Sequence, residues 1–122
     1  MNLKDYILDV PDWPVEDVVF KDITPLLKDK DALNHSVKLL EDLIDETPDY
    51  IVGIESRGFI FGSYLSSEMG LGFEKIKKKG KLPPPVISKA YSLEYGFDTL
   101  EIKSGKGKVV IVDDVYATGG TA

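Results

Sequence analysis

The pattern of apolar and polar positions predicts helices and strands that alternate along the chain. Between Asp29 and Pro48, apolar residues recur at helical spacing, with Asp and Glu on the opposite face. This spacing predicts a helix that begins at Asp29 or Asp31 and ends before Pro48. The apolar stripe should lie in the core, and its members are Leu33, Val37, Leu40 and Ile44, with Leu43 beside them.

Short apolar runs predict the strands. Tyr50–Ile54, Phe73–Lys77 and Val109–Val112 are the three clearest runs. Val109–Val112 is entirely β-branched, which favours a central strand packed on both faces. A helix at 59–69 lies between the first two runs and should end at the glycines that follow it.

The remaining segments are less regular. Asn2 can cap a short helix that runs to Val10, and residues 15–20 should be extended. Thr24-Pro25 is typical of a helix start, with threonine as the cap and proline as the first helical residue. Partial alternation over residues 86–102 predicts an antiparallel hairpin above the sheet, or alternatively a long mobile loop.

Together these elements predict an α/β fold, with a mainly parallel twisted sheet flanked by helices and a small hairpin as a hood. The length of 122 residues is that of a single domain spanning 1–122. The chain has neither the glycine pattern of dinucleotide-binding folds nor the Gly-Lys-Thr of nucleotide-binding P-loops.

Charge and composition narrow the function. The net charge of −6 argues against general nucleic-acid binding, which requires a basic surface. The chain has no cysteine, which excludes disulfides and thiolate metal sites and is in keeping with a reducing cytoplasm. Apolar runs stay far below the ~20 residues of a membrane span, so no membrane partner is expected.

Candidate chemistry lies where the predicted strands end. Asp113 and Asp114 directly follow Val109–Val112, and adjacent carboxylates at the end of a buried strand need a wet, cationic or hydroxyl-rich partner. Glycines in the next loop allow close approach to a ligand, and successive amides there can bind an anion. The residues of this candidate phosphate loop are Ala117, Thr118, Gly119, Gly120 and Thr121.

A second group of candidates is cationic. Arg57 should lie at a helix N-terminus, where amides favour an anion, although pairing with Glu55 is the alternative. Four lysines occupy five positions of an acidic chain, at Lys77, Lys78, Lys79 and Lys81. They could form a solvated loop or neutralise a polyphosphate. With the carboxylates and the phosphate loop, these cations fit a ribose with phosphate at one end and diphosphate at the other.

The motifs allow a family comparison. Residues 109–121 closely resemble the phosphoribosyl-pyrophosphate signature of type I phosphoribosyltransferases. Other stretches resemble the adenine branch of that family, and they are Phe20-Lys-Asp-Ile-Thr-Pro25, Glu55-Ser-Arg-Gly-Phe-Ile-Phe-Gly62, Lys79-Gly-Lys-Leu-Pro83 and Leu93-Glu-Tyr-Gly96. The resemblance covers nearly the whole chain in the order of the family.

The resemblance implies transfer of phosphoribose from phosphoribosyl pyrophosphate to adenine, which yields AMP and pyrophosphate. It implies a cytoplasmic homodimer that uses Mg²⁺, held mostly by substrate oxygens and water rather than by protein ligands. Glu94 and Tyr95 would be catalytic, and Asp113 and Asp114 would hold the ribose. The loop 117–121 would bind the 5′-phosphate. Pyrophosphate would be bound by Ser56, Arg57, Lys77, Lys78 and Lys81, and adenine by Val19, Phe20 and Lys21.

Departures from the family pattern leave alternatives. Lys21 and Lys77 stand where the family usually has arginine, and lysine loses the bidentate geometry of arginine on phosphate.

The family continues past the signature loop with a helix and further strands, so the resemblance predicts that residues 1–122 are a C-terminally incomplete domain. Without that helix, Val109–Val112 is expected to lose part of its apolar cover. Such a chain by itself should be inactive and either poorly folded or associated through the exposed sheet, whereas a longer protein that contains these residues should be an active dimer. A non-catalytic phosphoribosyl-pyrophosphate sensor, or an enzyme for xanthine, hypoxanthine or orotate, is the alternative function.

Overall fold

A 3-10 helix and two antiparallel strands begin the chain. The computed structural model describes residues 1–93 and 96–113, and the side chains of 1–90 and 99–113. The 3-10 helix is Leu3–Tyr6, and Asn2 caps it, because Asn2 Oδ1 accepts the Lys4 N–H at 3.1 Å. The prediction that this helix reaches Val10 is wrong, because Leu8–Pro11 forms strand β1. Proline disfavours the helical region for the residue before it, so Pro11 favours extended backbone at Val10.

Strand β2, Val19–Asp22, pairs antiparallel with β1. It covers only the end of the predicted extended stretch 15–20, because residues 15–17 turn the chain back. Asp12 Oδ1 accepts the Asp17 N–H at 3.0 Å in this turn, and both aspartates have positive φ. Aspartate tolerates this left-handed conformation better than most residues, since its short side chain can bond locally.

Two helices complete this first unit, which spans Met1–Leu43. Helix α1 is Thr24–Lys28, so Thr24 is its first residue rather than its cap. Asp22 Oδ1 accepts both the N–H and the hydroxyl of Thr24, at 2.9 and 2.6 Å. Helix α2 is Lys30–Asp42, and Asp29 caps it by accepting the N–H groups of residues 31 and 32. The predicted start at Asp29 is therefore confirmed.

The predicted apolar stripe of α2 is buried only in part. Val37 is buried, whereas Leu33 and Leu40 are half-buried and Leu43 is exposed. The small residues Ala32 and Ser36 are buried beside Val37. The buried face is therefore rotated toward small side chains, which the apolar spacing alone does not show.

In the second unit, Ile44–Ala122, the described residues form a five-stranded sheet in the order β5-β6-β4-β3-β7. Its strands are β3 Tyr50–Ile54, β4 Gly72–Lys78, β5 Ile87–Leu93, β6 Gly96–Ile102 and β7 Val109–Val112. Strand β3 is parallel to both β4 and β7, whereas β6 is antiparallel to β4 and β5. The predicted parallel strands and the antiparallel hairpin are both confirmed.

Helix α3, Arg57–Met69, packs on β3, β4 and β7. It ends at Gly70, whose φ of +67° is the left-handed conformation typical of a helix terminus. The core of this unit contains Ile51, Val52 and Ile54 from β3, with Phe61 and Leu65 from α3. No helix in the described part of the chain is both long and apolar enough to cross a membrane.

Strand β7 is buried on one face only. Val112 is buried, but Val109 and Ile111 are 40% and 49% exposed, so the burial on both faces that the β-branched run favours is not seen in the described residues, whereas the incomplete cover that the family comparison predicts is observed. The strand lies at one edge of the sheet formed by the described residues, and α3 covers one of its faces. Alternate residues of a strand point to opposite faces, so those on the second face remain accessible.

Candidate active site

The carboxyl ends of β3 and β7 bring two distant parts of the sequence together. These strands are parallel neighbours, with Gly53 opposite Val112. The turn at residues 55–57 and the carboxylate Asp113 therefore leave the sheet at the same edge. A Cβ atom placed on Gly58 would lie 2.6 Å from the Val112 carbonyl oxygen and 3.5 Å from Asp113 Oδ1. The first turn of α3 thus lies directly against the candidate ribose-binding carboxylate.

Glycines allow this close approach of helix and sheet. A Cβ on Gly53 would lie 2.6 Å from the Gly58 carbonyl oxygen, and one on Gly62 would lie 2.7 Å from the Phe73 ring. Since the atoms met at Gly53 and Gly58 are backbone oxygens, larger residues there would push α3 away from the strands. Sequence reasoning missed this role. The signal was the four-residue spacing of Gly58 and Gly62, which places both on one helix face.

Glu55 organises the lysine loop, defined here as residues 77–81. Its Oε1 accepts the Lys78 N–H at 2.9 Å, and its Oε2 pairs with Lys81 Nζ at 2.7 Å. The hydrogen bond from Lys81, with help from the Lys78 N–H and the charges of Lys81 and Lys77, holds the pKa of this carboxyl below its ordinary value. Its own N–H donates to the Ile76 carbonyl at 2.9 Å. The α3 turn and the lysine loop are therefore joined through one side chain.

The predicted pyrophosphate-binding residues are thus close to one another. Ser56 and Arg57 adjoin Glu55 in sequence, and Arg57 is the first residue of α3. Lys78 and Lys81 are bonded to Glu55, and Lys77 acts on it electrostatically. A surface that carries several cations beside the amino end of a helix can hold a di-anionic or polyanionic group.

The predicted adenine-binding residues lie on β2, in the first unit. Lys21 Nζ pairs with Asp9 Oδ1 at 2.6 Å, and the Phe20 ring meets Trp13 edge-on with ring centres 4.7 Å apart. Val19 is 54% exposed. The β2 segment therefore presents apolar and aromatic surface together with an exposed ion pair.

Several predicted site residues lie outside the described part of the chain. Glu94 and Tyr95 lie outside the described residues; in the sequence they fall between β5 and β6, whose last and first residues, Leu93 and Gly96, are paired. Asp114 and the candidate phosphate loop 117–121 also lie outside it. Within the described residues, no group of three or more His, Cys, Asp or Glu side chains could hold a metal ion.

Comparison with known proteins defines the class of this fold and site. A phosphoribosyl transferase domain matches residues 23–122. The chain therefore carries the phosphoribosyltransferase fold, and the predicted fold class is confirmed.

The individual relatives are more specific. The chain is 52% identical to the adenine phosphoribosyltransferase of Carboxydothermus hydrogenoformans, over 99% of this chain and 74% of that protein. The structure of the Thermoanaerobacter pseudethanolicus enzyme matches with a TM-score of 0.91 and 47% identity, over 98% of this chain and 72% of that one. The protein belongs to the adenine phosphoribosyltransferase family.

A third relative was solved with ligands. The adenine phosphoribosyltransferase of Saccharomyces cerevisiae, complexed with adenine and an imino-altritol bisphosphate, matches with a TM-score of 0.86 and 38% identity. The match covers 97% of this chain and 72% of that one. The chain thus spans about three quarters of the length of these relatives.

Proposed function

We propose that this protein transfers phosphoribose from phosphoribosyl pyrophosphate to adenine, with AMP and pyrophosphate as products. Membership of the adenine phosphoribosyltransferase family supports the reaction and the base. The observation that carries the proposal is the meeting of the α3 turn, the lysine loop and Asp113 at one edge of the sheet. This edge combines cations for a diphosphate with a carboxylate for ribose hydroxyls, and ligands of open parallel sheets bind beyond the carboxyl ends of the strands.

Different residues of the second unit bind the ribose, the 5′-phosphate and the diphosphate of the substrate. Asp113 and Asp114 accept hydrogen bonds from the ribose hydroxyls, and the loop 117–121 binds the 5′-phosphate through its amides and hydroxyls. The leaving diphosphate is held by Ser56, Arg57, Lys77, Lys78 and Lys81.

The chemical step exchanges one bond at the anomeric carbon of the ribose for another. The bond from that carbon to the diphosphate oxygen breaks with its electron pair on the oxygen, and a ring nitrogen of adenine forms the new bond. Positive charge develops on the ribose, while the cations stabilise the negative charge on the leaving group. Glu94 accepts and holds the ring proton that adenine loses, and Tyr95 helps to close the hairpin over the site.

Adenine is held by β2. Phe20 stacks on the purine, and the backbone groups of Val19 and Lys21 bond its polar edge. Aromatic stacking with backbone donors and acceptors suits a flat heterocycle that carries no charge.

Mg²⁺ is part of the proposal. The acidic side chains described near this edge include Glu55, which is engaged by the lysine loop, and Asp113, which follows β7. This donor set fits an ion held mainly by the diphosphate and ribose oxygens and by water, as Mg²⁺ prefers. When bound, the ion would neutralise charge on the diphosphate. We also propose, from the family resemblance, that the protein acts as a cytoplasmic homodimer.

A coupled assay for AMP tests the proposal directly. The protein is incubated with phosphoribosyl pyrophosphate, Mg²⁺ and adenine, and parallel samples contain hypoxanthine, guanine or xanthine instead. AMP formation from adenine with little product from the other bases is expected. Calorimetry with phosphoribosyl pyrophosphate is run alongside. Tight binding of this ligand without product from any base would favour the sensor, and product from another base would reassign the substrate.

A further inference from the structure

Glu101 is a buried acid near the carboxyl end of β6 that the proposed chemistry does not use. It is 8% exposed, and it is the only ionisable residue that is buried among the side chains described. Removing a carboxylate from water is costly unless hydrogen bonds replace the lost hydration. The hydrogen-bond partners of its carboxylate therefore indicate its role in the structure.

Both carboxylate oxygens of Glu101 are hydrogen-bonded, and their partners lie in different segments. Oε1 accepts the Gly80 N–H at 2.6 Å, and Oε2 accepts the Ser88 hydroxyl at 2.9 Å. Gly80 lies in the lysine loop, whereas Ser88 lies on β5 of the hairpin. One side chain thus joins the candidate diphosphate-binding loop to both strands of the hairpin.

Strand register explains why the carboxylate can reach both partners. Glu101 is directly opposite Lys77 on β4 and opposite Ser88 on β5, so these three residues form a row across the sheet. Side chains directly opposite one another in antiparallel strands lie on the same face. The row therefore places a negative charge between the start of the lysine loop and the hairpin.

The lysine loop is held from two sides. On one side Glu55 binds the Lys78 N–H and Lys81 Nζ. On the other, Glu101 binds the Gly80 N–H, and the Lys79 N–H donates to the Thr99 carbonyl of β6 at 3.0 Å. Gly80 has a φ of +84°, a conformation that brings its N–H to the carboxylate and that other residues adopt only with strain. Two carboxylates also offset repulsion among four neighbouring lysines.

We propose that Glu101 is a positioning residue that fixes the lysine loop to the hairpin, so that the diphosphate-binding cations keep a set geometry relative to the hairpin that carries Glu94. The inference rests on the proposed function. Glu101 does not touch substrate in this account. It acts on phosphoribosyl pyrophosphate through the loop backbone, and it leaves adenine binding on β2 unaffected.

The test compares Glu101→Ala, Glu101→Gln and Ser88→Ala with a matched control, Asp49→Ala. Asp49 also accepts a backbone N–H, that of Lys108 at 2.8 Å, but it precedes β3 and lies at the opposite end of the strand from Glu55. We expect Glu101→Ala to raise the KM for phosphoribosyl pyrophosphate roughly tenfold, as the loss of a hydrogen bond to a charged group would do. The KM for adenine should stay within about twofold. Glu101→Gln should have a smaller effect, because its amide oxygen can still accept the Gly80 N–H.

A readout that does not depend on activity is amide hydrogen exchange. Exchange at Gly80 should accelerate in Glu101→Ala while exchange at Lys108 is unchanged, and Asp49→Ala should show the reverse.

If the wild type makes no AMP, the proposed function fails, but exchange at Gly80 still tests the positioning role. An unchanged KM for phosphoribosyl pyrophosphate, or an equal rise in both KM values that follows the loss of thermal stability, would overturn the inference. If Glu101→Ala does not fold, the KM values and the Gly80 exchange rates of Glu101→Gln and Ser88→Ala test the positioning role instead.

Discussion

Glu55 shows how a single residue combines structural and electrostatic roles. Its side chain is 15% exposed and joins the α3 turn to the lysine loop, while Lys81 is about half exposed. Because the folded-state pKa of Glu55 is lowered, its contribution to stability is present above the ordinary pKa of 4.5 and is lost as pH falls through the lower folded value.

This shift predicts a pH-dependent effect for Glu55→Gln. At neutral pH the variant should be less stable than the wild type, with the ion pair contributing up to about 1 kcal/mol because Lys81 faces water. The difference should shrink as pH falls below 4.5, where the unfolded state takes up the proton first, and should vanish below the lower folded-state pKa, where the folded wild-type carboxylate is protonated too. Urea unfolding across this pH range measures it, and Lys81→Met should reduce the same pH dependence. A constant difference at every pH would contradict the account.

Asp113 and Asp114 give a second residue-scale prediction. Replacing both by asparagine should weaken the binding of phosphoribosyl pyrophosphate, because amides are poorer acceptors for ribose hydroxyls than carboxylates. Adenine binding should be retained. Calorimetry measures both affinities, and Asp42→Asn with Asp45→Asn is a control that removes the same charge at exposed positions. Equal affinities for the site variant and the wild type would remove these residues from the ribose site.

Glu94 gives the third prediction, which concerns turnover. Glu94→Gln should lower kcat by roughly 10²-fold, the usual range for a proton-transfer role, with little change in ground-state binding. Steady-state kinetics with adenine measures the rate, and calorimetry with each substrate serves as the control. A variant with wild-type turnover would rule out the catalytic role.

At the scale of elements, the site depends on how closely α3 packs on the strands. Gly53, Gly58 and Gly62 leave room for backbone oxygens and for the Phe73 ring, which also meets Phe59 edge-on. The helix amino end thereby reaches the carboxyl end of β7. The element boundaries follow from local signals, but this contact depends on the absence of side chains at two facing positions.

Gly58→Ala tests the packing of α3. The added methyl group would lie 2.6 Å from the Val112 carbonyl oxygen, so the helix must shift. We expect a loss of about 1–3 kcal/mol in unfolding free energy and weaker binding of phosphoribosyl pyrophosphate. Gly72→Ala is the matched control, since its nearest neighbour would be Tyr50 Cβ at an ordinary 3.8 Å. Urea unfolding and calorimetry measure the two effects, and equal behaviour of both variants would refute the packing argument.

At the scale of the whole molecule, the net charge is −6, whereas four lysines form a local basic group. An acidic surface repels extended polyanions, whereas the lysine loop can still neutralise a small one. We therefore expect no binding to duplex DNA at about 0.15 M salt, where non-specific binding requires many basic contacts. Fluorescence anisotropy with labelled DNA measures this, and a basic DNA-binding domain is the positive control. Saturable binding to DNA would show that the lysines serve a different ligand.

Much of the fold was predictable from local patterns. Strand β3 was predicted with the bounds that the structure has, Asp29 was one of two predicted helix starts, and an antiparallel hairpin was one of two interpretations of the alternation in residues 86–102. Val10 was assigned to a helix because its apolar spacing was weighed above the effect of the proline that follows. The β-branched composition of β7 shows that the segment is a strand, not how many of its faces are covered, so its exposed face was expected only from the family comparison.

The sequence by itself determined the family, the proposed reaction and the chemical types of the candidate site residues, because these follow from short motifs with local spacing. Only the tertiary structure decided which of them meet. Parallel pairing of β3 with β7 brings the Glu55 turn to Asp113 across more than fifty residues, and the register of three strands brings Glu101 to both Gly80 and Ser88. Such contacts depend on strand order and register, which no local pattern in the chain encodes.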